Sequence, residues 1–146
     1  MKIVVQRVLS AKCVVDNQIT GSINHGLMLL IGFTHTDDLE KVKIACKKIV
    51  NLRIFDDEEG KMNKSLIDVN GSLLAISQFT LYADTKKGNR PSFIESMKPD
   101  PANELYLQMI EILRNEYHIH TETGIFQSHM YLSPICDGPV TINLEF

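Results

Sequence analysis

Gly26 to Phe33 is a continuous apolar run broken only by Gly32. A strand with one wet face alternates, so an unbroken run of this length predicts a central strand buried on both faces. A second run, Leu73-Leu74-Ala75-Ile76, leads straight into Ser77-Gln78-Phe79-Thr80-Leu81. This strand ends in two hydroxyls and an amide around one aromatic ring. Such groups finish a strand for one of two reasons: they satisfy the backbone of the following turn, or they face a ligand at the edge of the core.

The remaining pattern places these runs in one domain, residues 1–146. Lys2 to Val8, Ala11 to Val15 and Ile19 to Ser22 read as strands separated by short polar turns, too short for crossover helices, which predicts antiparallel pairing. Asp37 with Glu40 forms a capping-box-like start, and Leu39, Val42, Cys46 and Ile49 recur at helical spacing. Asp100-Pro101 predicts the start of a second helix with an apolar face of Leu105, Met109, Ile112 and Leu113. Phe126 to Cys136 and Val140 to Phe146 read as two last strands. The expected fold is α+β: a mixed, mostly antiparallel, barrel-like sheet with two packed helices.

Composition excludes several classes. A net charge of -3 and 44% hydrophobic residues argue against a generally basic nucleic-acid-coating protein and for an ordinary globular domain. Three cysteines, Cys13, Cys46 and Cys136, without a Cys-x-x-Cys pair argue against a disulfide framework or zinc knuckle. No run reaches membrane-span length and no signal-like segment opens the chain, so an intracellular, unprocessed protein is expected.

Catalytic signatures are sparse. The acidic turn Asp56-Asp57-Glu58-Glu59 lacks the alternating spacing of a calcium loop, and His118-x-His120 has no evident third ligand. Ser77 or Thr80 needs a base to act as a nucleophile, and only His129 or Asp137, distant in sequence, offers one. The aperiodic stretch from Leu81 to Pro101 is long for a compact domain, which points to binding. Between Lys86 and Lys98 it carries Lys86, Lys87, Arg90 and Lys98 against Glu95 alone. This segment is either a phosphate-binding loop or a solvated one. Gly138-Pro139 interrupts the last strand region and is either a cis element or an ordinary trans turn.

Taken together, Ile3-Val4-Val5-Gln6-Arg7-Val8, Arg53-Ile54-Phe55 with Gly60-Lys61-Met62-Asn63, Ser77-Gln78-Phe79-Thr80-Leu81, Arg90-Pro91-Ser92-Phe93 and Asp137-Gly138-Pro139-Val140-Thr141 resemble the D-aminoacyl-tRNA deacylase family along the whole chain. The resemblance implies a cytoplasmic homodimer that hydrolyses the ester of D-aminoacyl-tRNA, and of glycine on a mischarged tRNA, at the 3′-terminal adenosine. It implies no cofactor, no metal and no membrane. Ser77, Gln78, Phe79 and Thr80 would line the adenosine and ester pocket, with backbone N–H groups holding the oxyanion. Gly138 and Pro139, in cis and from the other subunit, would exclude an L side chain by clash. Met130, Asp137, Val140 and Thr141 would complete that substrate-binding and chiral-selection set, and Lys86, Lys87 and Arg90 would meet the tRNA. The 2′-hydroxyl of the terminal ribose, not Thr80, would assist the chemistry. Gln127-Ser128, Pro134 and Cys136 depart from the family's usual residues, which keeps a non-catalytic RNA-binding module as the alternative. A simple Ser/Thr esterase is a third reading.

Overall fold

The computed structural model describes residues 1–146. Strand β1 (Lys2–Val15) organises the fold because both of its edges are paired. On one edge its first half pairs with β3 (Gly26–Gly32) and its second half with β2 (Gln18–Ile23), both antiparallel. On the other edge it pairs with β8 (Tyr131–Glu145), also antiparallel, from Lys2↔Glu145 to Val14↔Tyr131. The expected pair of strands at Lys2–Val8 and Ala11–Val15 is therefore one. Pairing with β8 carries the strand through Leu9-Ser10 without a break.

From β3 the sheet continues through β6 (Ser72–Ser77) to β7 (Thr121–Thr123), and both of these junctions are parallel. Helix α1 (Leu39–Asn51) lies between β3 and β6 in the chain, and α2 (Pro99–Asn115) between β6 and β7, so each parallel pair has its crossover helix. A small hairpin, β4 (Phe55–Asp56) with β5 (Met62–Lys64), stands apart. The sheet curls until β2 meets β7. At Gly21 a β-carbon would come within 2.5 Å of the Thr123 carbonyl oxygen, so glycine permits this nearly closed barrel.

The two continuous apolar runs are explained by this arrangement. Leu27, Leu29, Ile31, Leu73 and Ala75 face the large core shared with α1 and α2, whereas Met28, Leu74 and Ile76 face a smaller core inside the curl. Both β3 and β6 are buried on two sides.

Helix starts differ from expectation by one or two residues. Asp38, not Asp37, caps α1 by accepting from the Lys41 N–H at 2.9 Å. Asp37 is buried and accepts from the Met1 ammonium at 2.7 Å and the Thr34 N–H at 2.8 Å, which removes it from the helix. Helix α2 begins at Pro99 after Lys98, so the proline at the first helical position is Pro99, ahead of Asp100-Pro101.

The C-terminal expectation also needs correction. Phe126 to Met130 is a turn, in which the Ser128 N–H donates to the Ile125 carbonyl at 3.2 Å. One strand then runs from Tyr131 to Glu145 instead of two. Its register against β1 slips from Val8↔Cys136 to Gln6↔Thr141, so residues 137–140 bulge opposite Arg7 alone. Pro134 is tolerated because β8 pairs only with β1 and its other edge needs no N–H.

Candidate active site

Strand β6 runs out of the core at Ser77. The Gln78 N–H donates to the Ile31 carbonyl at 2.7 Å, and the chain then coils into a short 3₁₀ turn, Phe79–Tyr82. That exit forms one wall of a cavity of about 700 Å³. The wall comprises Ser77, Gln78 and Phe79. Phe93, Met97 and Lys98 close a second side, and Gln127, His129 and Met130 a third.

The cavity is held by backbone contacts between distant segments. Ser96 Oγ donates to the Phe79 carbonyl at 3.0 Å, and the Met97 N–H to the Phe33 carbonyl at 3.0 Å. Below the floor, buried Tyr106 donates its hydroxyl to the Ala75 carbonyl at 2.9 Å, and burial raises its pKa. The Phe79 ring remains 57% exposed although Phe93 packs edge-on at 5.0 Å. A large exposed ring beside polar groups, in a cavity of ligand size, makes this the candidate binding surface.

Polar side chains here are neither paired to a base nor bound to one another as a catalytic triad. Thr80 is exposed and outside the cavity lining, and its hydroxyl accepts from the Gln78 side-chain amide. No hydrogen bond joins Ser77 or Thr80 to His129, and Asp137 is engaged elsewhere. No group of three His, Cys, Asp or Glu side chains is placed to hold a metal ion. In the acidic turn Asp57 accepts from the N–H groups of Glu59 and Lys61 and from the Asn63 amide, while Glu58 and Glu59 pair with Lys64 and Lys61. That turn is self-satisfied. His120 pairs with Glu122 at 3.3 Å rather than with His118.

Asp137, Gly138, Pro139, Val140 and Thr141 form a separate region, the bulge of β8, away from the cavity of the same chain. The Gly138-Pro139 bond is cis, and Gly138 takes φ +113. Buried Arg7 fills the bulge: its Nε lies 3.0 Å from Asp137 Oδ2 and its Nη1 donates to the Ile54 carbonyl at 2.7 Å. Gln6 donates to the Val140 carbonyl at 3.1 Å and accepts from the Thr141 hydroxyl. Gln6 and Arg7 are the residues that hold this region, and neither was named above as a site residue. Their signal was available as two polar residues inside a Val- and Ile-rich strand.

Lys86, Lys87 and Arg90 occupy an exposed loop closed at its base by mutual backbone bonds of Asp84 and Ser92 at 2.8 and 2.9 Å. None of the three lines the cavity. Gln127 sits at φ 61, a conformation that favours glycine and carries backbone strain of about 1 kcal/mol.

The family model described as D-Tyr-tRNA(Tyr) deacylase matches residues 4–145. A D-aminoacyl-tRNA deacylase of Bacillus pumilus is 54% identical over 99% of this chain and 98% of its own, and one of Chloroherpeton thalassium is 49% identical over 99% and 95%. A solved structure titled c-Myc DNA Unwinding Element Binding Protein covers 100% of this chain and 99% of its own, with 38% identity and a TM-score of 0.95. Another, of a probable eukaryotic D-amino acid tRNA deacylase, has a TM-score of 0.80 at 17% identity over 98% of both chains and attests the fold. With its match running nearly end to end and its curated relatives at half identity, this chain belongs to the D-aminoacyl-tRNA deacylase family.

Proposed function

We propose that this enzyme of the deacylase family hydrolyses the ester joining a D-amino acid, or glycine, to the 3′-terminal adenosine of tRNA. The observation that carries the mechanism is a cavity with hydroxyl, amide and aromatic groups but no Ser or Thr bonded to a base. Such a site binds and positions; it does not supply a nucleophile.

Phe79 and Met130 take the adenine, while Ser77 and Gln78 hold the ribose and ester. Water attacks the ester carbonyl, assisted by the substrate's 2′-hydroxyl. The N–H groups of Phe79 and Thr80, at the start of a helical turn where intrahelical acceptors are lacking, receive the oxyanion. Collapse of the tetrahedral intermediate breaks the bond to the ribose 3′-oxygen, which takes a proton, and releases amino acid and tRNA.

Chirality is read by Gly138 and Pro139 from a second copy of the chain. Their own cavity lies elsewhere, and a homodimer would bring the bulge of one copy to the cavity of the other. Main-chain atoms pressed against the aminoacyl carbon leave no volume for an L side chain, whereas a D side chain points outward. Lys86, Lys87 and Arg90 follow the phosphate backbone of the acceptor end.

The test is paired deacylation of D-Tyr-tRNA and L-Tyr-tRNA. Hydrolysis of the D form alone is expected; binding without turnover would favour an RNA-binding module instead. Thr80→Ala should retain turnover within about tenfold, the loss of one positioned hydrogen bond. A tRNA ending in 2′-deoxyadenosine should react poorly, and normal turnover of it would sink the role of the RNA hydroxyl.

A further inference from the structure

The cavity wall contains a single permanently charged side chain, Lys98. Its other lining residues are apolar, hydroxyl- or amide-bearing, apart from the imidazole of His129. Lys41, Lys43, Lys61 and Lys64 each pair with a carboxylate, but Lys98 pairs with none. Asp100, two residues on, is exposed and outside the cavity lining.

The backbone around Lys98 is fixed although its ammonium is free. The His35 ring hydrogen-bonds the Ile94 carbonyl at 2.7 Å, the Thr34 hydroxyl donates to the Glu95 carbonyl at 2.6 Å, and the Met97 N–H donates to the Phe33 carbonyl. Pro99 then begins α2. The stem of Lys98 therefore leaves from an anchored point on the cavity rim.

A 3′-aminoacylated terminal nucleotide has a neutral base, sugar and ester between two opposite charges. The aminoacyl ammonium is at one end and the 5′-phosphodiester at the other. An isolated cation in a largely apolar wall attracts the second and repels the first. We infer that Lys98 binds the 5′-phosphate of the terminal nucleotide and so sets which way round the substrate lies in the cavity. This assignment rests on the aminoacyl-tRNA reading above. It is distinct from the exposed loop of Lys86, Lys87 and Arg90, which lies outside the cavity and reads phosphates further upstream.

The experiment compares two minimal substrates, 3′-O-D-tyrosyl-adenosine and the same ester carrying a 5′-methylphosphate diester, alongside D-Tyr-tRNA. The wild-type kcat/KM should favour the phosphorylated ester by about three- to tenfold, the range of a solvent-exposed to partly enclosed ion pair. K98Q should bring the two esters to parity, K98R should keep the preference and K98E should reverse it. On D-Tyr-tRNA, K98Q should raise KM with little change in kcat and flatten the slope of log KM against log salt by about 0.7, one single-strand phosphate contact. A K98Q enzyme that keeps the full wild-type preference for the phosphorylated ester overturns the assignment. Failure of wild type to hydrolyse D-Tyr-tRNA at all would instead overturn the functional reading, and this one with it.

Discussion

The cavity wall at Ser77–Phe79 and the bulge at Asp137–Thr141 are built on opposite principles. The wall is open: Phe79 is largely exposed, its hydroxyl and amide neighbours have few fixed partners, and a sizeable cavity lies in front of it. The bulge is clamped, with Arg7 buried inside it and its carbonyls and side chains bonded to Gln6 and Arg7. A surface that receives a ligand can remain loosely satisfied until the ligand arrives. A surface that must reject one by clash has to be rigid beforehand, since a yielding wall rejects nothing.

That contrast is easiest to break at Arg7. Replacing it with alanine leaves the Ile54 carbonyl and the Asp137 carboxylate without their buried donor, and should cost about 3 kcal/mol in denaturant unfolding. Arg7→Lys, which keeps the charge and loses the fork, should fall between. If alanine at this position left stability and D/L discrimination intact, the clamp would have no role.

Gly138→Ala comes next. Its β-carbon would sit 2.8 Å from Val140 Cγ2 at φ +113, and a destabilisation of about 2 kcal/mol is expected together with impaired handling of D substrates. By contrast Phe79→Ala, on the open wall, should alter unfolding by less than about 1 kcal/mol yet raise KM for D-aminoacyl-tRNA roughly fivefold or more. Equal effects of Phe79→Ala on stability and KM would erase the distinction between the two regions.

The smallest effect concerns the self-satisfied acidic turn. Hydrogen bonds from the Asn63 amide, then from the Lys61 N–H, hold the Asp57 pKa below the ordinary aspartate value. The unfolded chain therefore binds that proton more readily. The contribution of Asp57 to stability is present above its unfolded pKa and is lost as pH falls through the depressed folded one. The unfolding midpoint of Asp57→Asn should accordingly depend less on pH across the acid range than that of the wild type. An unchanged acid profile would show that the turn contributes nothing there.

Sequence reasoning succeeded where one physical pattern decides the outcome. Gly26 to Gly32 and Leu73 to Ile76 are continuous because both faces are buried, and the helical spacing in α1 and α2 reports the single large core that both helices share with the sheet. It failed where a distant residue decides. Asp37 and Asp38 are equally good caps, and the Met1 ammonium together with the Thr34 N–H removes the first from contention. The continuity of β1 depends on β8, whose residues lie at the other end of the chain.

The candidate site divides the same way. Ser77, Gln78, Phe79 and Met130 do share one cavity, and the polar strand end announced its wall. Thr80 stands outside that lining, exposed on the 3₁₀ turn after Gln78. Arg7 gave only a polar interruption in a strand. Its meaning depends on four bulged residues opposite it, which no local pattern contains.

The ladder from Lys2↔Glu145 to Val14↔Tyr131 has a consequence in time as well as in space. It joins the first strand to the last, so its closure carries the full entropic cost of a non-local contact and belongs among the slower steps of folding. The bulge is an interruption of that ladder and acquires its shape only once the ladder exists. A nascent or partly folded chain can thus have much of the helix-packed core in place while residues 137–140 have yet to take their shape. If the bulge reads chirality as proposed, discrimination arrives with completion of the fold.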